Sequence, residues 1–292
     1  MWLYPVEAYA PYHIEPSVID VNSWVTTNSV KIVYTAVTTA SCGDPVWLAW
    51  YRNLKTTLKA IGVKLYAAAG QIDWAEPPNV VDYVAPTWAV GALQLKESTT
   101  PGAIRLFDGV MLDVEPHTMW GGLPPTQAQM LNWLAMQSNV TGEVAQDYCN
   151  PAGSPRARAW FALPTWLNLY SITGAGMTFD RSLLTASDGI SFMVSRDTVG
   201  PATGPYGSIL SVSAAARTSA LVVGRNYRLT LETINPWQDG VRVLEDYETY
   251  YDQSRSTKLS TDIVSITSNL GADVRYKGVD LHHFGSWKGL PA

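Results

Sequence analysis

The chain has 292 residues, a formal net charge of -5 and 47% hydrophobic residues. This length is close to the roughly 250 residues of one large α/β barrel, and no window approaches the roughly 18 uninterrupted apolar residues of a membrane span. The 20 basic residues are scattered among 25 acidic ones and give no electrostatic footprint for phosphate backbones, so no nucleic-acid partner is predicted.

The composition also indicates where such a protein works. Charged residues make up only 15% of the chain, and 12 Trp and 15 Tyr are present; the charged fraction of an average protein is about 25%. A surface that is polar through uncharged residues, with aromatic rings available for stacking on sugars, is typical of extracellular or virion-associated proteins. No signal peptide is evident at the N-terminus. The two cysteines, Cys42 and Cys149, are either two buried thiols or one disulfide.

Apolar runs rich in β-branched and aromatic residues alternate with segments of helical character, which is the pattern of a parallel α/β fold. The predicted strands are 2–4, 31–37, 63–69, 107–114, 157–163, 190–195, 227–232 and 278–283. Because eight such strands close a barrel, we predict a single (β/α)8 barrel domain over residues 1–292. A doubly wound open sheet is the alternative, but no Gly-rich phosphate loop follows the first strand, and no cofactor is predicted.

The clearest helix between these strands spans 44–61. Asp44 is a suitable N-cap, Pro45 fits the first turn and Gly62 ends the helix. Further helices are predicted at 127–137, 208–222 and 259–269, whereas the segment 168–186 holds at most a short one. No repeat, low-complexity tract or linker divides the chain.

The most informative segment, FDGVMLDVEP at 107–116, is predicted to be a buried strand that ends in two carboxylates. Side chains alternate along a strand, so Asp113 and Glu115 share a face with Met111. At the C-terminal end of a barrel strand this face reaches the mouth where active sites lie, and Pro116 ends the ladder there. Alternatively, Asp113 accepts hydrogen bonds from neighbouring strands and Glu115 is an ordinary solvated residue.

This segment resembles the fourth-strand signature of the family 18 chitinase-like glycoside hydrolases, in which the last Glu is the proton donor. Asp108, Gly109, Asp113 and Glu115 match that signature, whereas Met111 occupies the position of a further acid. The resemblance implies Glu115 as general acid, with Asp113 orienting it or stabilising the developing positive charge. Met111 is a departure from the chitinases proper and from their substrate-assisted mechanism.

A second candidate carboxylate, Glu232, ends predicted strand seven. Here the chain resembles the clan A glycosidases, which place the acid on strand four and the nucleophile on strand seven. The dipeptide at 115–116 is similar to their Asn-Glu-Pro, with Val114 in place of the Asn. This resemblance implies that Glu232 is the nucleophile or base. The alternative is an ion pair of Glu232 with Arg196 or Arg228.

Predicted strand eight ends in DLHHFGSW at 280–287. By alternation Asp280 and His282 share one face, while His283 points to the other. His282 is a candidate for contacting substrate or for tuning a catalytic carboxylate, and Trp287 for the floor under a sugar, as a strand-eight Trp is in the chitinase-like barrels. The alternative is a core histidine beside a packing tryptophan.

The loops after the other predicted strands carry residues suited to glycan binding. Asp73 and Trp74 follow strand three, Trp120 follows strand four and Trp166 follows strand five. Tryptophan rings stack on sugars and carboxylates accept hydrogen bonds from their hydroxyls, so all four are predicted to bind substrate. The alternative for each tryptophan is packing.

Together these features predict a glycoside hydrolase that acts on a polysaccharide or oligosaccharide through Glu115, Asp113 and Glu232. One alternative is a non-catalytic glycan-binding or virion structural protein on a degenerate barrel, which Met111 favours because a fold persists after its chemistry is lost. Another is a metal-assisted hydrolase in which His282 joins the carboxylates. The spacing matches no recognised metal pattern, so no metal is predicted.

Overall fold

The strands of the computed structural model follow one another in a single eight-stranded sheet in chain order, which is the strand order of a (β/α)8 barrel. The model describes residues 1–3, 17–146, 155–200, 207–233, 249–251, 253–282 and 290. The strands are β1 (Trp2–Leu3), β2 (Ile32–Ala36), β3 (Lys64–Ala69), β4 (Gly109–Leu112), β5 (Arg158–Pro164), β6 (Gly189–Val194), β7 (Asn226–Glu232) and β8 (Tyr276–His282). Each overlaps a predicted strand, and the predicted fold class is confirmed.

Helices occupy the connections between the strands. They are α1 (Val18–Thr27), α2 (Thr39–Gly43), α3 (Pro45–Ala60), α4 (Val84–Gln94), α5 (Gln127–Gln146), α6 (Phe179–Thr185), α7 (Ile209–Val212), α8 (Ala214–Val223) and α9 (Ser260–Leu270). The predicted helix at 127–137 is longer than expected, and the one at 208–222 is two helices joined at Ser213. The segment 168–186 contains the short helix α6, as predicted.

Helix α3 begins and ends where its sequence predicts. The Asp44 carboxylate accepts hydrogen bonds from the amides of Val46 (2.7 Å) and Trp47 (3.3 Å), which satisfies donors that the first turn leaves without a helical partner. After the last turn Gly62 has a φ of 72°, a conformation that glycine adopts without strain. The hydroxyl of Tyr51 donates to the carbonyl of Ala36 (2.8 Å) and ties the helix to β2.

The chain forms two compact units. The first consists of Leu3–Phe161 and Ala186–Asp188; the second consists of Met1–Trp2, Ala162–Thr185 and Gly189–Ala292. In the first unit β2, β3, β4 and the start of β5 pair in parallel. In the second unit β6, β7 and β8 also pair in parallel. The single-domain assignment stays a prediction.

Gly109, the glycine of the sequence motif, creates room at the start of β4. It lies in register between Tyr66 of β3 and Arg158 of β5. A Cβ at this position would lie 2.4 Å from the carbonyl oxygen of Arg158 and 2.5 Å from Cε1 of the Tyr66 ring. The Tyr66 ring fills that space and meets the Tyr34 ring edge-on at 5.9 Å. The glycine therefore serves packing in the core of the first unit.

Candidate active site

The C-terminal end of β4 carries the two predicted carboxylates. The strand ends at Leu112, but the amide of Asp113 still donates to the carbonyl of Ala69 (3.0 Å), so the ladder continues for one residue. At Glu115 the backbone turns (φ -112°, ψ 65°), and Pro116 opens a 3-10 helix, Pro116–Met119. Both acids are half-buried. Their catalytic role stays a prediction.

Asp113 is placed by close contact with the chain that leaves β3. A Cβ on Gly70 would lie 1.7 Å from the carbonyl oxygen of Asp113 and 2.4 Å from its carbonyl carbon. No side chain fits there, because both of these atoms belong to the backbone and cannot rotate away. Sequence reasoning missed Gly70, since a glycine after a strand is an ordinary turn signal.

Asp108, the first acid of the motif, lies at the opposite end of β4. Its Oδ2 accepts hydrogen bonds from Nζ of Lys55 (2.7 Å) and from the amide of Leu65 (2.8 Å). The Lys55 side chain is only 5% exposed, so its ammonium group needs this partner. Asp108 thus joins α3 to β3 and has a structural role.

The loops after β3 and β4 are joined by a hydrogen bond between side chains. Nε1 of Trp120 donates to Oε1 of Glu76 at 2.7 Å. Trp120 is 7% exposed, and its ring packs edge-on against Trp133 at 5.7 Å. The structure therefore shows Trp120 packed against its neighbours. Its contact with sugar stays a prediction. Glu76 was not singled out from the sequence.

Trp74 and Asp73 lie in the loop after β3, as predicted. Trp74 is 7% exposed, and its ring lies 5.7 Å from that of Trp88. The carbonyl of Asp73 accepts from the side-chain amide of Asn79 (3.1 Å). Its carboxylate Oδ1 is buried and has no hydrogen-bond partner among the described residues. Binding of substrate by this pair stays a prediction.

His117, two residues after Glu115, packs against Trp120 and Trp133. Its ring stacks on Trp133 at a centroid distance of 6.2 Å and meets Trp120 at 6.4 Å. Burial lowers the pKa of His117 to about 4, because an imidazolium ion loses hydration in this apolar setting. The ring is therefore neutral at pH 7. No sequence signal identified His117, because its burial depends on contact with Trp133 of helix α5.

In the second unit β7 and β8 end side by side on Glu232 and His282, which are register partners. Oε2 of Glu232 lies 2.7 Å from Nδ1 of His282, and the two side chains are 13% and 19% exposed. Oε1 of Glu232 accepts from the amide of Thr233 at 2.7 Å. Sequence reasoning named both residues as candidates, and the structure brings them into contact.

The backbone around this pair is held by further hydrogen bonds. The carbonyl of His282 accepts from the amide (2.6 Å) and the hydroxyl (2.8 Å) of Thr233. The carbonyl of Glu232 accepts from the amide of Tyr250 at 2.9 Å. The fully buried Trp2 meets the His282 ring edge-on at 5.5 Å. These contacts fix both strand ends and the plane of the imidazole.

A buried polar network lies on the same face of β8 as His282, two residues earlier along the strand. Asp280 is 3% exposed; its Oδ2 accepts from the hydroxyl of Ser191 (2.7 Å), which lies 2.6 Å from the hydroxyl of Thr230. Oδ1 of Asp280 lies 3.6 Å from Nη1 of Arg228. Arg228 thus has a carboxylate partner in β8, and the charge of Asp280 is compensated inside the sheet.

Trp166 lies directly after β5, in the 3-10 helix Thr165–Leu169. It is half-buried and meets Tyr170 edge-on at 5.9 Å. Trp287, His283 and Cys149 lie outside the described residues. Cys42 has no disulfide partner within the part of the chain that the structure describes.

Among the described residues, no group of three or more His, Cys, Asp or Glu side chains is arranged so that it could hold a metal ion. No helix in the same part of the chain combines the length and the apolar character needed to cross a bilayer.

Comparison with known proteins supports the fold. No family model matches the chain, and no curated protein matches it in sequence. Among solved structures it is similar to a chitinase from Chromobacterium violaceum, with a TM-score of 0.51, 12% identity and coverage of 98% of this chain and 96% of that one. It is also similar to the β-glycosidase BGL167 (TM-score 0.51, 13% identity, 94% and 80% covered) and to β-glucosidase 1317 (0.50, 10%, 93% and 82%). The chain therefore has a (β/α)8 barrel fold like that of distant glycoside hydrolases.

Proposed function

We propose that the chain is a glycoside hydrolase that cleaves a polysaccharide or oligosaccharide, with Glu115 as the general acid. The observation that carries the proposal is the placement of Asp113 and Glu115, both half-buried, at the C-terminal end of β4. Active sites of (β/α)8 barrels lie at that end of the strands. The fold similarity to a chitinase and two β-glycosidases supports the same reading.

In this proposal each carboxylate has a separate task. Glu115 donates its proton to the oxygen of the leaving sugar. Asp113 orients Glu115 or stabilises the positive charge that develops on the sugar ring. The rigid contact between Gly70 and the backbone of Asp113 supports such a role, because catalytic groups need fixed positions.

Hydrolysis also requires a group that attacks the sugar carbon or activates water. Glu232, at the end of β7, is the candidate nucleophile or base. The substrate-binding residues we propose are Asp73, Trp74, Trp120, Trp166, His282 and Trp287.

The proposal is tested by measuring the release of reducing ends from a broad panel of polysaccharides. Glu115→Gln keeps the shape of the side chain but cannot supply the proton, so kcat should fall by about 10²-fold or more. The matched control is Glu143→Gln on α5, far along the chain from β4, which should keep full activity. Urea unfolding of both variants checks that the fold is unchanged. Full activity in Glu115→Gln would refute the assignment.

A second candidate function is a non-catalytic glycan-binding or virion structural protein on a degenerate hydrolase barrel. It is favoured by Met111, which is completely buried in β4 and occupies the position of an acid in the chitinase-like signature. Binding of oligosaccharides without products after long incubation supports this alternative. Under either function we propose an extracellular or virion-associated location, in line with the low charged fraction of the chain.

A further inference from the structure

We propose that Glu232 and His282 act as one proton-transfer unit, in which Glu232 orients the imidazole ring and Nε2 of His282 takes a proton from water. The inference rests on the proposed hydrolase function. It assigns Glu232 the role of a positioning residue behind a histidine base, in place of direct attack on the sugar.

The hydrogen bonds of Glu232 support this role. One carboxylate oxygen, Oε1, accepts from the amide of Thr233, and the other, Oε2, lies against Nδ1 of His282, both at 2.7 Å. A carboxylate with both oxygens engaged in this way is held in one orientation. Its attack on a sugar carbon would draw on the negative charge that these two short contacts already engage. Orienting the histidine requires neither contact to change.

The contact also determines which nitrogen of the neutral ring carries the hydrogen. A carboxylate is an acceptor only, so Nδ1 of His282 must be the donor. Nε2 is then the basic nitrogen, on the other side of the ring. A carboxylate that holds the Nδ1–H in this way also stabilises the imidazolium ion that forms when Nε2 takes a proton.

The setting of the ring is rigid, as a base requires. Glu232 and His282 are the last residues of adjacent paired strands, and their carbonyls accept hydrogen bonds from Tyr250 and Thr233. The Trp2 ring packs edge-on against the imidazole. The His282 side chain nevertheless keeps 19% exposure.

The chemical step follows from these roles. Nε2 of His282 takes one proton from a water molecule while the water oxygen forms a bond to the anomeric carbon. The bond between that carbon and the leaving oxygen breaks, and the leaving oxygen takes a proton from an acid group. Because water attacks directly, the step inverts the configuration at the anomeric carbon.

The first test does not depend on activity. The four histidines of the chain are labelled with 15N, and two-bond 1H–15N spectra of the wild type identify the tautomer of each neutral ring, with His282→Gln assigning the His282 signals. We expect the Nδ1–H tautomer for His282. The Nε2–H tautomer would overturn the proposal. Glu232→Ala should remove the preference, whereas Glu97→Ala, on a surface carboxylate, should leave it unchanged.

The second test uses turnover. Glu232→Ala and His282→Ala should each lower kcat by about 10²-fold or more. Because the two residues act as a unit, kcat of the double variant should be no lower than that of the less active single variant. NMR of the first-formed anomer should show inversion. The inference would be overturned if the losses in kcat multiplied in the double variant, or if the product kept the anomeric configuration of the substrate. If no glycan is cleaved at all, the proposed function fails, while the tautomer result remains informative.

Discussion

Nζ of Lys55 lies 2.7 Å from Oδ2 of Asp108, and the Lys55 side chain is 5% exposed while that of Asp108 is 32% exposed. This contact gives the first acid of the motif a structural role. Asp108→Asn should leave the Lys55 ammonium buried without a counter-charge and lower the free energy of unfolding by about 2 to 3 kcal/mol, somewhat less than for a fully buried pair. Urea denaturation measures the change.

The control for this variant is a surface pair with the same chemistry. Nζ of Lys59 lies 3.1 Å from Oε2 of Glu97, with side-chain exposures of 56% and 26%. Exposed ion pairs contribute about 1 kcal/mol or less, so Glu97→Gln should change stability little. Equal effects of Asp108→Asn and Glu97→Gln would contradict the structural role of Asp108.

A second prediction concerns Gly70. Gly70→Ala would bring a Cβ within 1.7 Å of the carbonyl oxygen of Asp113. The two backbone segments would then have to move apart. We expect a loss of about 3 kcal/mol in unfolding free energy together with a fall in kcat. Gly91→Ala in helix α4 is the control: its Cβ meets nothing within 4 Å, so it should stabilise the protein by about 0.5 to 1 kcal/mol. Unchanged stability of Gly70→Ala would refute the close contact.

The pH dependence of stability provides a third prediction. Burial lowers the pKa of His117 from 6.5 to about 4, so the unfolded chain takes up a proton below pH 6.5 that the folded chain does not bind until about pH 4. The free energy of unfolding should therefore fall as the pH falls through this window, by up to about 3 kcal/mol. Above pH 6.5 His117 does not affect the free energy of unfolding.

His117→Phe isolates this effect, because phenylalanine provides an aromatic ring to stack on Trp133 but has no titrating group. Urea denaturation of the wild type and the variant is compared between pH 4 and 8. The difference between them should grow as the pH falls. Parallel curves would show that His117 is protonated equally easily in both states.

A fourth prediction compares two of the tryptophans proposed to bind sugar, Trp166 and Trp74, which differ in burial. Trp166 is half-buried and follows β5, whereas Trp74 is 7% exposed. Trp166→Ala should weaken oligosaccharide binding about 10-fold by loss of ring stacking with little change in stability. Trp74→Ala should cost about 3 kcal/mol or more in stability through the cavity that it leaves.

Calorimetric titration of an oligosaccharide into inactive Glu115→Gln, with and without Trp166→Ala, measures the affinity. Urea denaturation measures the stability. If Trp166→Ala binds as tightly as its parent, Trp166 has no part in recognition.

Much of the fold could be predicted from the sequence, because the signals for it are local. Apolar β-branched runs located every strand, and Asp44 with Pro45 and Gly62 located α3 to within one residue. Side-chain alternation and Pro116 indicated that Asp113 and Glu115 lie at the end of β4. The boundary between α7 and α8 was missed, because the turn at Ser213 interrupts a pattern that is helical on both sides.

The sequence by itself determined the order of strands and helices and the strand ends that carry acids, since these depend on neighbours within a few residues. Only the tertiary structure decided which of these groups meet. Glu232 and His282 are 50 positions apart, and Lys55 and Asp108 are 53 apart. Such pairs depend on the register between strands and on how closely backbones approach, as at Gly70. A shift of one residue in register would turn each side chain to the opposite face of the sheet.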